Sequence, residues 1–341
     1  MPMRRSGFIT VFIFLGAWLP IPPPPQDRIP QQENPGPQGA SLDLSGLQLT
    51  DVRQLELDDA FRRRDYRRAE SLLIDEAEKD PKAIRTAKLL VLAAGIFFLD
   101  GQYANSVIAW KKAEAIAPLD DRSRFTLAMA YVKLSRRDWA RPELEKLTAA
   151  RPQEPLYLYW LARLDYDAQN YAAAIARLQK VIELDPAMMR AYDTLGLCYD
   201  YLGKFDEAVK SYARAVELNR LQSKPSPWPH VDRAISLISL NQLMEAEKNL
   251  REALTYDAHL PQAHYQLGRV LEMQGEYQEA VESLNQAIEL NPSYPEPHYL
   301  LGRIYHRLGK DQLSKKEIAQ FQELKKASET QPTTNSSSSP N

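Results

Sequence analysis

The stretch PAMMRAYDTLGLCYDYLGKFDEAVKSYARAVEL, Pro186 to Leu218, holds two apolar patterns of helical period split by a short polar turn at Gly203. Stepping by 34 residues in either direction meets the same design again. Segments begin at Ala87, Asp121, Pro155 and Met189, and after a four-residue insertion they resume at Pro227, Pro261 and Pro295. A fixed period of this length means stacked supersecondary units, none of which can bury its apolar face alone.

The columns of this register are chemical. A small residue sits midway along each first helix: Ala94, Ala128, Ala162, Gly196, Ala234, Gly268 and Gly302. Another opens each second helix, from Ser106 through Ala140, Ala174, Ala208, Ala246 and Ala280 to Ser314. Four residues later comes a large apolar plug, as in Trp110, Leu178, Tyr212, Leu284 and Ile318. Small and large residues four apart on one face are what interlocking helices require. Pro118, Pro152, Pro186 and Pro292 close several units, and Gly101, Gly203, Gly275 and Gly309 suit the left-handed end of a first helix.

These columns resemble the tetratricopeptide repeat, with Pro186–Leu218 and Pro261–Pro292 very close to the family pattern. The resemblance covers Ala87 to Lys325, in units near 87–120, 121–154, 155–188, 189–222, 227–260, 261–294 and 295–328. A weaker unit precedes them at 50–83, where Tyr66 and Ala69 open a second helix and Pro81 closes it. The resemblance implies an all-α fold, a right-handed superhelix of helix pairs whose first helices line a concave groove for peptides or protein surfaces.

Composition agrees with a buried core, at 44% apolar residues, and 43 basic against 45 acidic side chains leave no global field for nucleic acid. One cysteine, Cys198, rules out an internal disulfide and a cysteine-based zinc site; in LGLCYDYL it reads as a small buried thiol. Ahead of the repeats, Arg4 and Arg5 precede an apolar run from Gly7 to Leu19, broken only by Thr10. That is the plan of a signal peptide or short N-terminal anchor over 1–22. It directs the chain to the periplasm, cell envelope or exterior, with an uncleaved membrane anchor as the alternative. A Pro-rich disordered linker follows at 23–49, and the Ser/Thr-rich tail 329–341 reads as disordered.

His230, His264 and His298 recur at one column 34 residues apart. Packed helices lie about 8–10 Å apart, so equivalent histidines run parallel along a solenoid and do not converge on a metal. The slot is read as packing, with no metal and no cofactor. No G-x-S-x-G, H-E-x-x-H, P-loop or dinucleotide fingerprint occurs, so no catalytic residue is assigned. The basic stretch FRRRDYRRAE, from Phe61, reads as an exposed turn; its sharper reading is peripheral contact of Arg62–Arg68 with an anionic membrane.

Given the implied groove, its outward positions fall on Tyr159, Trp160, Arg163 and Tyr166, then Arg190 and Tyr201, then Tyr265, Arg269, Tyr299, Arg303 and His306. Aromatic and arginine side chains make good anchors for a partner. The Lys and Asn clamp that some tetratricopeptide co-chaperones use is absent: its places hold Tyr159, Arg163, Asp193 and Thr194. Arg163, Arg269 and Arg303 share a column, which favours an acidic partner, although Asp193, Asp200 and Glu272 dilute it. The insertion NRLQSKPSPWPH at 219–230 is read as a bend or, failing that, a binding edge around Trp228, and Arg233 occupies a slot that is leucine in its neighbours. The function expected is a non-enzymatic scaffold for a protein or peptide. The alternatives are a membrane-tethered assembly factor and a regulatory subunit of an enzyme complex.

Overall fold

A computed structural model describes residues 47–330 of the chain. The segment 1–22, the linker up to residue 46 and the tail from residue 331 lie outside the described residues. Sixteen helices and no strand occur among the described residues. They form eight successive pairs: α1 (Asp51–Arg62) and α2 (Tyr66–Glu78), α3 (Ile84–Leu99) and α4 (Tyr103–Glu114), α5 (Asp121–Lys133) and α6 (Arg137–Ala150), α7 (Pro155–Asp167) and α8 (Tyr171–Leu184). The second half continues with α9 (Met189–Tyr201) and α10 (Phe205–Asn219), α11 (Trp228–Ser239) and α12 (Leu243–Tyr256), α13 (Pro261–Gln274) and α14 (Tyr277–Leu290), α15 (Pro295–Arg307) and α16 (Asp311–Thr330). Two boundaries move against the sequence reading. Leu47 and Leu49, assigned to the linker, are buried, and α16 runs to Thr330.

Every pair closes through the same turn. One residue in the turn after the first helix is left-handed in all eight: Arg64, Gly101, Ser135, Gln169, Gly203, Asn241, Gly275 and Gly309. The next N–H reaches back to the carbonyl five residues earlier, as in Lys204 to Tyr199 at 2.9 Å and Asn170 to Asp165 at 2.8 Å. This is the Schellman closure, which satisfies carbonyls that a helix end otherwise leaves unpaired. Glycine signals four of these turns in the sequence; Arg64, Ser135, Gln169 and Asn241 adopt the same backbone without it.

Inside each pair the small and large columns meet. A Cβ placed on Gly196 would lie 2.5 Å from the Tyr212 ring, one on Gly268 2.6 Å from Leu284, and one on Gly302 2.7 Å from Ile318. Where serine replaces alanine at the head of the second helix, its hydroxyl donates to the small residue's carbonyl: Ser106 to Ala94 at 2.7 Å and Ser314 to Gly302 at 2.8 Å. Both columns thus serve one purpose, close helix approach.

The pairs then stack so that odd helices form the inner layer. α3 touches α5, α7 touches α9, α9 touches α11, α11 touches α13 and α13 touches α15, whereas no two even helices make a comparable contact. Elements that crowd on one side and splay on the other make a curved solenoid. The stack starts openly: Val52 and Leu55 of α1 are 67% and 65% exposed, while their equivalents in α7, Tyr157 and Trp160, are buried, Tyr157 against Phe125 of the preceding unit at 5.5 Å.

The insertion at 219–230 bulges without opening the stack, because α10 packs on α11 as neighbouring units do elsewhere. Asn219 is buried and clamps the loop from both ends of its amide, donating to the Ser226 carbonyl and accepting from the Ser226 N–H, each at 2.8 Å. Arg220 ties the loop to α12 through two bonds to Glu252, 2.8 and 2.7 Å long. Arg233 reaches Glu245 at 3.6 Å and Asn249 at 3.5 Å. The apolar core does change here: one cluster ends at Cys198 and the second begins at Val231.

Candidate functional site

The inner layer is recognised by contacts that run from one odd helix to the next. The Arg190 guanidinium on α9 lies 5.7 Å from the Tyr159 ring on α7, and Tyr201 meets Tyr166 at 5.7 Å. On the later helices, Arg303 of α15 bonds Glu272 of α13 at 3.0 Å, with Arg307 at 3.6 Å from the same carboxylate. These residues therefore lie on the face where first helices meet.

The α7–α9 segment is a closed aromatic cluster. Tyr159, Trp160 and Tyr166, expected to face outward, are only 5%, 9% and 5% exposed. The correction has a plain cause for two of them: Arg190 and Tyr201 of the next unit cover Tyr159 and Tyr166. Trp160 packs edge to face on Tyr159 at 5.9 Å, and its indole N–H is buried without an acceptor. Tyr201 stacks on Tyr171 at 5.1 Å with the rings 11° from parallel, and Tyr166 meets Tyr171 at 5.8 Å. Burial raises the Tyr166 hydroxyl, so it stays protonated. Arg163 lies over the Tyr166 ring at 5.1 Å and 3.8 Å from Asp167. Arg163, Arg190 and Tyr201 remain half-buried.

The α13–α15 segment stays open. Tyr299 is 39% exposed and rests on Phe321 of α16 at 5.2 Å. Arg303 and His306 are exposed, His306 standing 3.4 Å from Asp311. Tyr265 is half-buried against Tyr294 at 5.3 Å, and burial raises both hydroxyls. Arg269 is half-buried, 3.5 Å from the Gln266 amide oxygen. The column of three arginines is thus unequal. Arg163 sits near Asp167 and Arg303 holds the buried Glu272, while Arg269 has no carboxylate within ion-pair distance among the described residues.

Between these segments lies a buried polar node. Asp200 of α9 accepts from the Tyr212 hydroxyl of α10 at 2.9 Å and from the Ser236 hydroxyl of α11 at 2.6 Å. Burial pushes the Asp200 carboxyl up to about 7, and the Asp232 charge adds to the rise, while the two hydroxyl donors oppose it. Sequence reading placed Asp200 on the groove; the structure makes it the link between units. Cys198, beside it, is fully buried, which pushes the thiol up to about 12 and leaves it unreactive.

The three histidines each have separate surroundings. His230 is fully buried, 5.3 Å from the Tyr256 ring and 3.7 Å from Glu252, and burial holds the imidazole below its usual value. His264 Nε2 donates to the Ala258 carbonyl at 2.9 Å, and His298 Nδ1 is 2.7 Å from Glu317. No three His, Cys, Asp or Glu side chains among the described residues gather as a metal site. The basic turn of α1–α2 presents Arg62, Arg63, Arg64, Arg67 and Arg68 to solvent, with Arg63 paired to Asp59 at 3.0 Å. The sequence reading passed over α3 and α5, whose inner columns carry Lys88, Val91, Phe98, Phe125 and Lys133. In the 34-residue register Val91, Phe98 and Phe125 share columns with Tyr159 and Tyr166, Lys88 with Arg190, and Lys133 with Tyr201.

Two family models match parts of the chain: one described as "TPR repeat" at residues 273–309, and one for "Anaphase-promoting complex, cyclosome, subunit 3" at residues 143–215. No curated protein matches by sequence. Among solved structures, a tetratricopeptide repeat protein from Parabacteroides merdae is 17% identical, with a TM-score of 0.57 over 78% of this chain and 98% of that one. The Cut9–Hcn1 hetero-tetramer of the APC/C is 16% identical, with a TM-score of 0.54 over 76% of this chain and 57% of the matched one. PilF of Pseudomonas aeruginosa is 18% identical, with a TM-score of 0.53 over 62% of this chain and 94% of that one. At these identities the likeness concerns the fold alone.

Proposed function

We propose that this chain, which has the fold of tetratricopeptide repeat proteins, is a scaffold holding a protein or extended peptide along its inner face, without chemistry of its own. The observation that carries this reading is the continuous layer of odd helices, on which Arg269, Tyr299, Arg303 and His306 keep accessible surface. Aromatic and arginine groups held on a rigid backbone lose little entropy when a partner docks. A photo-crosslinking residue at Tyr299 is expected to give a discrete adduct in native extract. The same residue at Met244, 75% exposed on α12, is expected to give none. Equal adducts from both positions, or adducts from Met244 alone, refute an inner-face site.

We further infer that the scaffold is exported, from the basic pair Arg4-Arg5 and the apolar run Gly7–Leu19. A second reading, a membrane-tethered envelope assembly factor, draws support from the same segment left uncleaved and from the five exposed arginines of the α1–α2 turn. No helix among the described residues is long and apolar enough to cross a membrane, so tethering would fall to the first 22 residues or to that turn. Fractionation with N-terminal sequencing separates the two. A processed N-terminus in the soluble fraction eliminates the tether, and an intact one in the membrane fraction eliminates cleavage.

A further inference from the structure

We propose that the first part of the inner face, on α3 and α5, accepts an extended acidic and apolar segment of another polypeptide. The proposal rests on the inner-face reading above and adds the chemistry of the partner. Stepping back by 34 and 68 residues from Tyr159, Arg163 and Tyr166 leads to Phe125, Met129 and Val132 on α5 and to Val91, Gly95 and Phe98 on α3. Since α3 packs directly on α5, these residues share the side where first helices meet.

Three observations converge there. Val91, Phe98, Phe125 and Val132 are half-buried, Phe125 beside Tyr157 of α7 at 5.5 Å and Phe98 beside Tyr103 of α4 at 5.4 Å, and Leu99 is exposed, so an apolar floor keeps part of its surface accessible. Lys88, Arg122 and Lys133 stand exposed along the same columns and form no ion pair with a described residue. No carboxylate shares these columns on α3 or α5, whereas Arg163 and Arg303 farther along have Asp167 and Glu272 beside them. Gly95, finally, lies inside a 16-residue helix, about one turn before its end, at a cost of up to about 1 kcal/mol relative to alanine. A Cβ there would meet nothing within 4 Å, unlike Gly196, where it would strike Tyr212. Packing within this chain does not call for that glycine; a bare backbone at the floor lets a ligand approach closely.

Unbalanced positive charge over an apolar floor selects a segment carrying both apolar side chains and carboxylates. An extended strand repeats side chains of one face about every 7 Å, close to the 8–10 Å spacing of packed helices. Alternate residues can therefore address successive first helices.

The test uses the full chain and a fluorescein-labelled decapeptide of alternating leucine and aspartate, read by anisotropy, with a leucine–lysine decapeptide as control. The acidic peptide is expected to bind and the basic one not. Lys88→Glu, Arg122→Glu and Lys133→Glu together are expected to weaken binding by about tenfold or more. A Cβ at Gly95 meets nothing within 4 Å and leucine is the better helix former, so Gly95→Leu should hold or raise the melting temperature and weaken binding by a similar factor. Equal binding of the two peptides, no binding of the acidic one, or unchanged binding by the triple variant overturns the proposal. Arg269→Glu separates this failure from a failure of the wider reading. If it abolishes binding that the triple variant keeps, the inner face stands and only the α3–α5 site falls. If no inner-face variant alters the binding, both fall.

Discussion

Two segments of the inner face, α7–α9 and α13–α15, carry tyrosine and arginine in the same columns, yet one is closed and the other open. Tyr159 is covered by Arg190 of the following unit and Tyr166 by Tyr201. Tyr299 meets only Phe321 of its own unit, and beyond α16 there is no further helix pair among the described residues. The difference teaches that in a solenoid the burial of a column is set by the neighbour one repeat away. Identical residues at identical positions can be core in one unit and surface in another.

The largest expected effect breaks or upholds this contrast directly. Trp160→Ala should cost about 3–5 kcal/mol, as for a large core side chain, and Tyr299→Ala less than about 1 kcal/mol. Urea denaturation followed by circular dichroism measures both; equal losses would mean the two segments do not differ in packing.

The next prediction concerns the node that joins the segments. Asp200 is raised to about 7 when folded, above its ordinary value of 3.8, so the folded chain holds the proton more tightly than the unfolded one. The stability this contributes is fully present below about pH 4 and is lost as pH rises through about 7, a fall of about 3 kcal/mol between those limits. Asp200→Asn should flatten that part of the profile of urea midpoint against pH. A wild-type midpoint that climbs from pH 4 to 7 through this residue would contradict its buried setting.

A smaller effect comes from the hairpin turns. Gln169 closes α7–α8 at φ 61°, where Gly275 closes α13–α14 at φ 87°. Gln169→Gly should raise stability by about 1 kcal/mol and Gly275→Gln lower it by as much, since only glycine adopts this backbone freely. Thermal melts that move in the same direction would refute a shared turn geometry. Smallest of all, His306→Ala, at an exposed end position, should change stability by less than about 0.5 kcal/mol while leaving the helical signal intact.

The fold was largely legible before any coordinates. The small column and the plug column are sequence features, and Gly196 against Tyr212 is the contact they promise. The turn at Gly203 was equally plain, but its counterpart at Arg64 was not, because a helix pair imposes the left-handed residue even where the side chain resists it. The candidate site was legible only in part. Tyr and Arg on the first helices could be placed by register, and Arg269, Tyr299, Arg303 and His306 do stand accessible. Tyr159 and Tyr166 could not be told from surface anchors, since Arg190 and Tyr201, which cover them, lie in the next unit.

Periodicity by itself determined that this chain is a stack of helix pairs, because a 34-residue repeat of helical amphipathy has no other way to bury its apolar faces. Tertiary structure alone decided which inner residues are free, that Asp200 is a buried link between units, and which arginines already hold a carboxylate. Those outcomes depend on distances between side chains a full repeat apart, and no local pattern encodes them.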